Sequence, residues 1–114
     1  MQDVTIYHNP RCATSRKALA LLRQRGIEPR VVEYLKTPPD AAELKRLLKL
    51  LGLKPRALLR KKEAKAAGLD RPDLSDDQII AAMTRHPIVI ERPIVVKGAK
   101  AVLGRPPETA LTVI

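Results

Sequence analysis

The alternation of apolar and polar positions predicts short strands and amphipathic helices along the whole chain. Residues 4–7 are β-branched or aromatic and predict a strand, whereas residues 13–25 are helix formers that end before Gly26. Residues 30–34 predict a second strand. Because a helix separates these two strands, we expect them to be parallel.

The middle of the chain carries a helical pattern. Asp40 and Glu43 have the spacing of a capping box, and the leucines that follow form one stripe before Gly52: Leu44, Leu47, Leu48 and Leu51. Residues 55–61 predict a short helix that begins with a proline. Residues 62–74 are polar and predict a loop, with a helical turn at 63–67 left open.

The C-terminal third begins with a further helix. Ser75 and Gln78 form a second capping box, which predicts a helix to about residue 84. Residues 86–90 fit a loop or a strand. Residues 93–96 and 101–103 predict two strands joined by a hairpin, and residues 108–113 predict a last short helix.

The order of these elements indicates the fold class. A βαβ half, a helical stretch and a ββα half predict an α/β, thioredoxin-like fold with a mixed four-stranded sheet. We expect residues 1–114 to form a single thioredoxin-like domain with a helical insertion at about residues 38–90, since no linker is long enough to separate domains.

Composition narrows the classes of partner. The chain has 114 residues, a formal net charge of +10 and 45% hydrophobic residues, which favour a folded domain with anionic partners. Nucleic acid is not expected, because two tyrosines are the only aromatic residues available for stacking on bases. No apolar run approaches a membrane span and no leader is evident, so we expect a cytoplasmic protein. A single cysteine agrees with a reducing compartment.

That cysteine, Cys12, is the main candidate for chemistry. It lies where the first helix begins, among polar and turn-forming residues, and unpaired helix N–H groups and nearby cations lower a thiol pKa. We therefore predict a reactive thiolate. The hydroxyl groups of Thr14 and Ser15 are candidate hydrogen-bond donors to the sulfur, and His8, at the end of the strand, is a candidate imidazolium partner.

The spacing Cys12-Ala13-Thr14-Ser15 places a hydroxyl where a second thiol would resolve an adduct. Without an internal disulfide, exchange requires an external thiol such as glutathione or a glutaredoxin. A phosphatase-like loop is excluded, because the position six residues after the cysteine is Ala18 rather than arginine.

Four segments, "YHNPRCATSR", "RALLRK", "ERPIVV" and "GRPPE", resemble the glutaredoxin-coupled arsenate reductase family in order and spacing, over residues 5–113. The resemblance implies that the Cys12 thiolate attacks arsenate and that an oxyanion clamp is formed by Arg60, Arg92 and Arg105. Arg56, one turn from Arg60, is the competing choice within its motif. Guanidinium groups match tetrahedral oxyanions in charge and geometry.

The resemblance also implies a reaction cycle and its partners. Arsenate is reduced to arsenite with glutathione as co-substrate and glutaredoxin as the final thiol donor, and no metal or tightly bound cofactor takes part. Thioredoxin-like folds place a cis-proline before the third strand, which predicts a cis Arg92–Pro93 bond.

Three alternatives remain open at this point. Longer members of that family continue past the "GRPPE" helix, so this chain is also compatible with a related thiol oxidoreductase that acts on another substrate. Spx-type regulators share the fold and bind RNA polymerase, although they usually carry a C-x-x-C motif that Ser15 interrupts. Binding of nucleic acid through the net charge is the third.

Overall fold

The chain forms two units in the computed structural model, which describes residues 3–114. The first unit contains the residues up to Thr37 together with Arg92–Ile114, and the second contains Pro38–Glu91. The helical insertion expected at about residues 38–90 corresponds to the second unit.

Within residues 3–114, the first unit contains one mixed sheet of four strands. In chain order these are β1 (Val4–His8), β2 (Arg30–Glu33), β3 (Ile94–Lys97) and β4 (Lys100–Leu103). Their order across the sheet is β2-β1-β3-β4. The pair β1–β2 is parallel, as expected, whereas β1–β3 and β3–β4 are antiparallel. The mixed four-stranded sheet predicted from the sequence is confirmed.

Helix α1 (Ala13–Gln24) connects β1 to β2 and buries an apolar stripe formed by Ala18, Leu19 and Leu22. That stripe packs against side chains of the two central strands and of the C-terminal 3-10 helix Pro107–Val113, namely Val4, Ile6, Val95, Ala110 and Val113. The last helix expected at residues 108–113 is thus present with 3-10 geometry. β1 is a central strand with β2 on one side and β3 on the other. The end of β1, where the following loop begins, is therefore anchored within the sheet.

The β3–β4 hairpin turns at Gly98, whose φ of 59° is the conformation that the first position of a type II′ turn requires. At the other end of β4, Gly104 lies directly beside Pro93. A Cβ atom at Gly104 would lie 2.9 Å from Pro93 Cγ, so only glycine permits this approach. The Arg92–Pro93 peptide bond is cis, as predicted, and the Arg105–Pro106 bond is cis as well.

The second unit is helical. It contains α2 (Ala41–Leu51), α3 (Lys61–Ala66) and α4 (Asp76–Arg85), with 3-10 helices at Pro55–Leu58 and Pro87–Val89. Both expected N-caps are present: Asp40 accepts from the Glu43 N–H group, and Ser75 and Gln78 form a reciprocal capping box. The apolar stripes of α2 and α4 are buried and the two helices pack together.

Three short elements differ from the sequence prediction. The helix expected at residues 55–61 is a 3-10 helix that ends at Leu58, and a 3-10 helix also forms at Pro87–Val89, where a loop or a strand was expected. Helix α3 covers the first part of the loop expected at 62–74 and most of the helical turn left open at 63–67. The cause is non-local, because the Arg60 N–H donates to the Val89 carbonyl and the Glu91 N–H donates to the Leu58 carbonyl. With these bonds the backbone of Leu59 is extended, and α3 begins after its N-cap residue Arg60. Across residues 3–114, every helix is too short or too polar to traverse a lipid bilayer.

Candidate active site

The candidate site lies in the first unit, on the loop between β1 and α1. Cys12 is the N-cap residue of α1, with an extended backbone (φ −92°, ψ 120°). Its N–H group donates to the Asn9 carbonyl at 3.0 Å, and the Asn9 side-chain Oδ1 accepts from the Arg11 N–H at 3.0 Å. The loop is therefore a hydrogen-bonded turn that holds the thiol of Cys12, half-buried, at the open N-terminus of a twelve-residue helix.

Ser15 holds this loop from beneath. Its side chain is fully buried, and its Oγ lies 2.6 Å from His8 Nδ1 and accepts from the Asn9 N–H at 3.1 Å. The Ser15 hydroxyl, a predicted donor to the sulfur, is bonded instead to the end of β1 and to the loop. Ser15 reaches the sulfur through its backbone N–H.

His8, at the end of β1, is buried beside Ser15. Burial lowers the pKa of His8 below its ordinary value, Glu33 opposes this shift, and the positive charges of Arg23 and Arg16 add to it. A lowered pKa favours the neutral imidazole at neutral pH, whereas the sequence analysis proposed an imidazolium. His8 therefore bears on the site through its hydrogen bond with Ser15 rather than through a positive charge.

The surroundings of Cys12 stabilise its thiolate. Partial burial raises the pKa of the thiol, but this effect is outweighed by the Ser15 N–H, by the positive charge of Arg92, by the Arg105 side chain and by the Thr14 N–H. The net result is a Cys12 pKa below its ordinary value. Two helix N–H groups and two guanidinium groups are the environment in which thiolates are nucleophilic at neutral pH.

The two arginines flank the open end of the β3–β4 hairpin, Arg92 just before β3 and Arg105 just after β4. Arg105 is exposed, and its Nη1 atom donates both to Cys12 Sγ at 3.8 Å and to the Arg92 carbonyl at 3.2 Å. Arg92 is 9% exposed and precedes the cis-proline. The geometry brings together Cys12, Arg92 and Arg105, three of the residues that the resemblance implies, although 93 positions separate Cys12 from Arg105.

Arg60 lies in the second unit, where it is the N-cap residue of α3 and forms an ion pair with Glu63 at 2.8 Å. Arg56, the other candidate oxyanion ligand in the same motif, donates to the carbonyl groups of Arg71 and Leu74, at 3.1 Å each. The Arg56 guanidinium is thus engaged in holding the loop before α4. A role of Arg60 in binding an oxyanion stays a prediction.

Asn9 is the residue whose role the sequence analysis missed. Its backbone and its side chain both bond within the loop, and together they set where Cys12 begins the helix. A signal was present in the sequence, because asparagine before proline is typical of a turn in which the side chain caps a nearby N–H.

A mixed four-stranded sheet, with a cysteine at the start of the first helix and a cis-proline before the third strand, defines a protein of the thioredoxin-like fold class. The ArsC family model matches residues 7–113, and the chain belongs to that family. Relatives and a solved structure agree over nearly the whole length. The uncharacterized protein YfgD of Escherichia coli strain K12 is 50% identical over 99% of this chain and 98% of its own.

Two further comparisons carry functional names. An arsenate reductase of Neisseria meningitidis serogroup A is 47% identical, with both chains covered in full. The solved structure of an arsenate reductase from Vibrio cholerae superposes with a TM-score of 0.95 at 50% identity, over 99% of this chain and 98% of that one. The thioredoxin-like fold class predicted from the sequence is confirmed.

Proposed function

We propose that this protein is an arsenate reductase that uses Cys12 as its nucleophile and takes its electrons from glutathione and glutaredoxin. The observation that carries the proposal is the Cys12 thiol at a helix N-terminus, 3.8 Å from Arg105 and under the positive charge of Arg92. The family membership and the names of the relatives from Neisseria and Vibrio support the same substrate.

In the first step the Cys12 thiolate attacks arsenate. An S–As bond forms, one As–O bond breaks, and the departing oxygen takes up protons from solvent and leaves as water. Arsenate is an anion near neutral pH, so its charge opposes attack by a second anion. Arg92 and Arg105 offset this repulsion by donating to the oxyanion, and Arg60 is the third candidate donor.

In the second step glutathione attacks the arsenic of the adduct. A second S–As bond forms and a second As–O bond breaks, and that oxygen leaves as water. The two sulfurs then couple to a mixed disulfide: both S–As bonds break, and one electron pair stays with arsenic, which is reduced from arsenic(V) to arsenic(III) and leaves as arsenite after taking up water. A glutaredoxin thiolate then attacks the glutathione sulfur and releases the Cys12 thiolate. Ser15 cannot replace this external thiol, since its hydroxyl forms no disulfide. A glutathione-dependent reaction belongs in a reducing compartment, for which we propose the cytoplasm.

The test is arsenate-dependent consumption of NADPH in the presence of glutathione, glutaredoxin and glutathione reductase. Cys12→Ser should abolish turnover, and Arg92→Ala and Arg105→Ala should each lower kcat/KM for arsenate about a hundredfold, the usual effect of removing an oxyanion donor. Arg25→Ala, at the far end of α1, is the matched control. Turnover by Cys12→Ser, or NADPH consumption that does not depend on arsenate in the wild type, would contradict the proposal.

Arg60 needs a separate comparison, because its ion pair with Glu63 also supports α3. Arg60→Ala should lower kcat/KM for arsenate, whereas Lys61→Ala, which removes the neighbouring exposed charge, should leave it unchanged. Circular dichroism of both variants separates lost catalysis from lost helix.

A further inference from the structure

A cavity of about 310 Å³ lies on the β2 side of the Cys12 loop, and the reaction steps above make no use of it. Its volume falls at the lower end of the roughly 300–1,000 Å³ range of small-molecule sites. Its lining is shared by the segment just before the cysteine and by the segment after β2: Asn9, Pro10, Arg11, Glu33, Leu35 and Lys36.

The charges of this cavity have a definite arrangement. Arg11 and Lys36 are exposed cations, and Glu33 is a half-buried anion that lies 3.5 Å from Lys36 Nζ. Pro10 and Leu35 contribute apolar surface between them. A ligand that matches this lining carries anionic groups for the two cations, an ammonium group for Glu33, and an apolar connection.

The backbone places the cavity beside the turn that carries Cys12. Arg11 is the residue immediately before Cys12, and the Asn9 carbonyl accepts from the Cys12 N–H. Glu33 pairs with His8 in the β1–β2 register, so the acidic side of the cavity lies at the end of the strand that leads into the same loop. The cavity therefore borders the loop on which the reacting thiol is held.

We propose that this cavity, which we call the β2-side cavity, binds the co-substrate thiol, a glutathione-class tripeptide with two carboxylates and one ammonium group. The proposal rests on the proposed function for the identity of the thiol. Arg11 and Lys36 bind its carboxylates, Glu33 binds its ammonium group, and the peptide is thereby oriented with its cysteine toward Cys12. This assigns residues to thiol binding that are separate from those that bind the oxyanion.

The experiment measures formation of the mixed disulfide without arsenate. The Cys12 thiolate attacks oxidised glutathione, so that one S–S bond breaks, a new one forms and a glutathione thiolate leaves. The rate is followed by intact mass, and the same rate is measured with bis(2-hydroxyethyl) disulfide, which is neutral. Dividing one rate by the other removes differences in the reactivity of Cys12 itself.

Lys36→Ala and Arg11→Ala should each lower this ratio about two- to fivefold, the effect of one exposed ion pair, and Lys36→Glu should lower it further. Arg25→Ala removes the same charge at the far end of α1 and should leave the ratio unchanged. An unchanged ratio in all cavity variants overturns the proposal. Equal slowing with both disulfides also overturns it, since the effect then lies in the thiol.

The outcome is independent of the arsenate assay. If the wild type shows no arsenate turnover but prefers oxidised glutathione in a way that depends on Lys36, the role of the β2-side cavity is supported and the proposed function is refuted. Arsenate turnover with an unselective cavity gives the reverse result.

Discussion

The contact between Arg105 and Cys12 allows a quantitative prediction, because its strength can be worked out from the distance between a single pair of atoms. Arg105 Nη1 lies 3.8 Å from Cys12 Sγ. Opposite unit charges about 4 Å apart interact by about 1 kcal/mol in water and about 4 kcal/mol near a protein surface. Because Arg105 is exposed and Cys12 half-buried, we take about 1–2 kcal/mol for this pair.

Removing that charge should destabilise the thiolate and raise the Cys12 pKa. Arg105→Gln should therefore raise the pKa of Cys12, and a loss of about 1–2 kcal/mol corresponds to a roughly five- to thirtyfold smaller thiolate fraction at a pH below that pKa. Glutamine keeps an N–H donor, which isolates the effect of charge from that of hydrogen bonding. Arg105→Lys keeps the charge and should shift the pKa by less than half as much.

The assay is the rate of alkylation by iodoacetamide as a function of pH. Cys12 is the only cysteine of the chain, so the whole signal comes from the site. Arg25→Gln serves as a distant control, since the twelve residues of α1 lie between Arg25 and Cys12 and separate them by about 20 Å at about 1.5 Å per position, beyond the screening length. A Cys12 pKa that is unchanged in Arg105→Gln would refute the reasoning. Equal shifts in the Gln and Lys variants would show that geometry, not charge, matters.

Two further predictions concern the residues beneath the loop. Ser15→Ala should lower the free energy of unfolding by about 2–3 kcal/mol in urea denaturation, because it leaves the Asn9 N–H and His8 Nδ1 without their buried partner, whereas Thr112→Ala at an exposed position should change it by less than about 0.5 kcal/mol. The depressed pKa of His8 means that the unfolded state binds a proton first, so stability should be full above pH 6.5 and fall as the pH drops below it. His8→Asn should weaken this dependence, and a dependence unchanged from wild type would contradict the assignment to His8.

Local sequence signals predict the elements whose causes are local. The Asp40 cap and the Ser75–Gln78 capping box act within four residues, and both form as expected. For α3 the sequence left open only a helical turn at 63–67, because this helix has six polar or small residues and only Ala64 is buried. Its start depends on a hydrogen bond from Arg60 to Val89, a partner almost thirty positions away that no local pattern indicates.

In the candidate site, too, the features with local causes were predictable from the sequence and those with non-local causes were not. The position of Cys12 at a helix start is visible in the sequence, because a strand, a turn and a helix follow one another there. The position of Arg105 near Cys12 was implied only by the family resemblance. It depends on the pairing of β3 with β4 and on the packing of Gly104 against Pro93, which no local pattern indicates. The direction of the Ser15 hydroxyl was not predictable, because sequence spacing does not state which of several acceptors a buried oxygen will contact.

The bonds made by Ser15 bear on how this scaffold can change. A single substitution, Ser15→Cys, would turn the C-x-x-S segment into a C-x-x-C segment that can form its own disulfide. Yet the Ser15 oxygen joins the end of a strand to the loop in a site with no solvent exposure, and a thiol is larger and a weak hydrogen-bonding group. The change that supplied a second sulfur would loosen the support of the first. The packing beneath Cys12 therefore opposes a second thiol at this position, and an engineered dithiol variant needs compensating changes at His8 and Asn9.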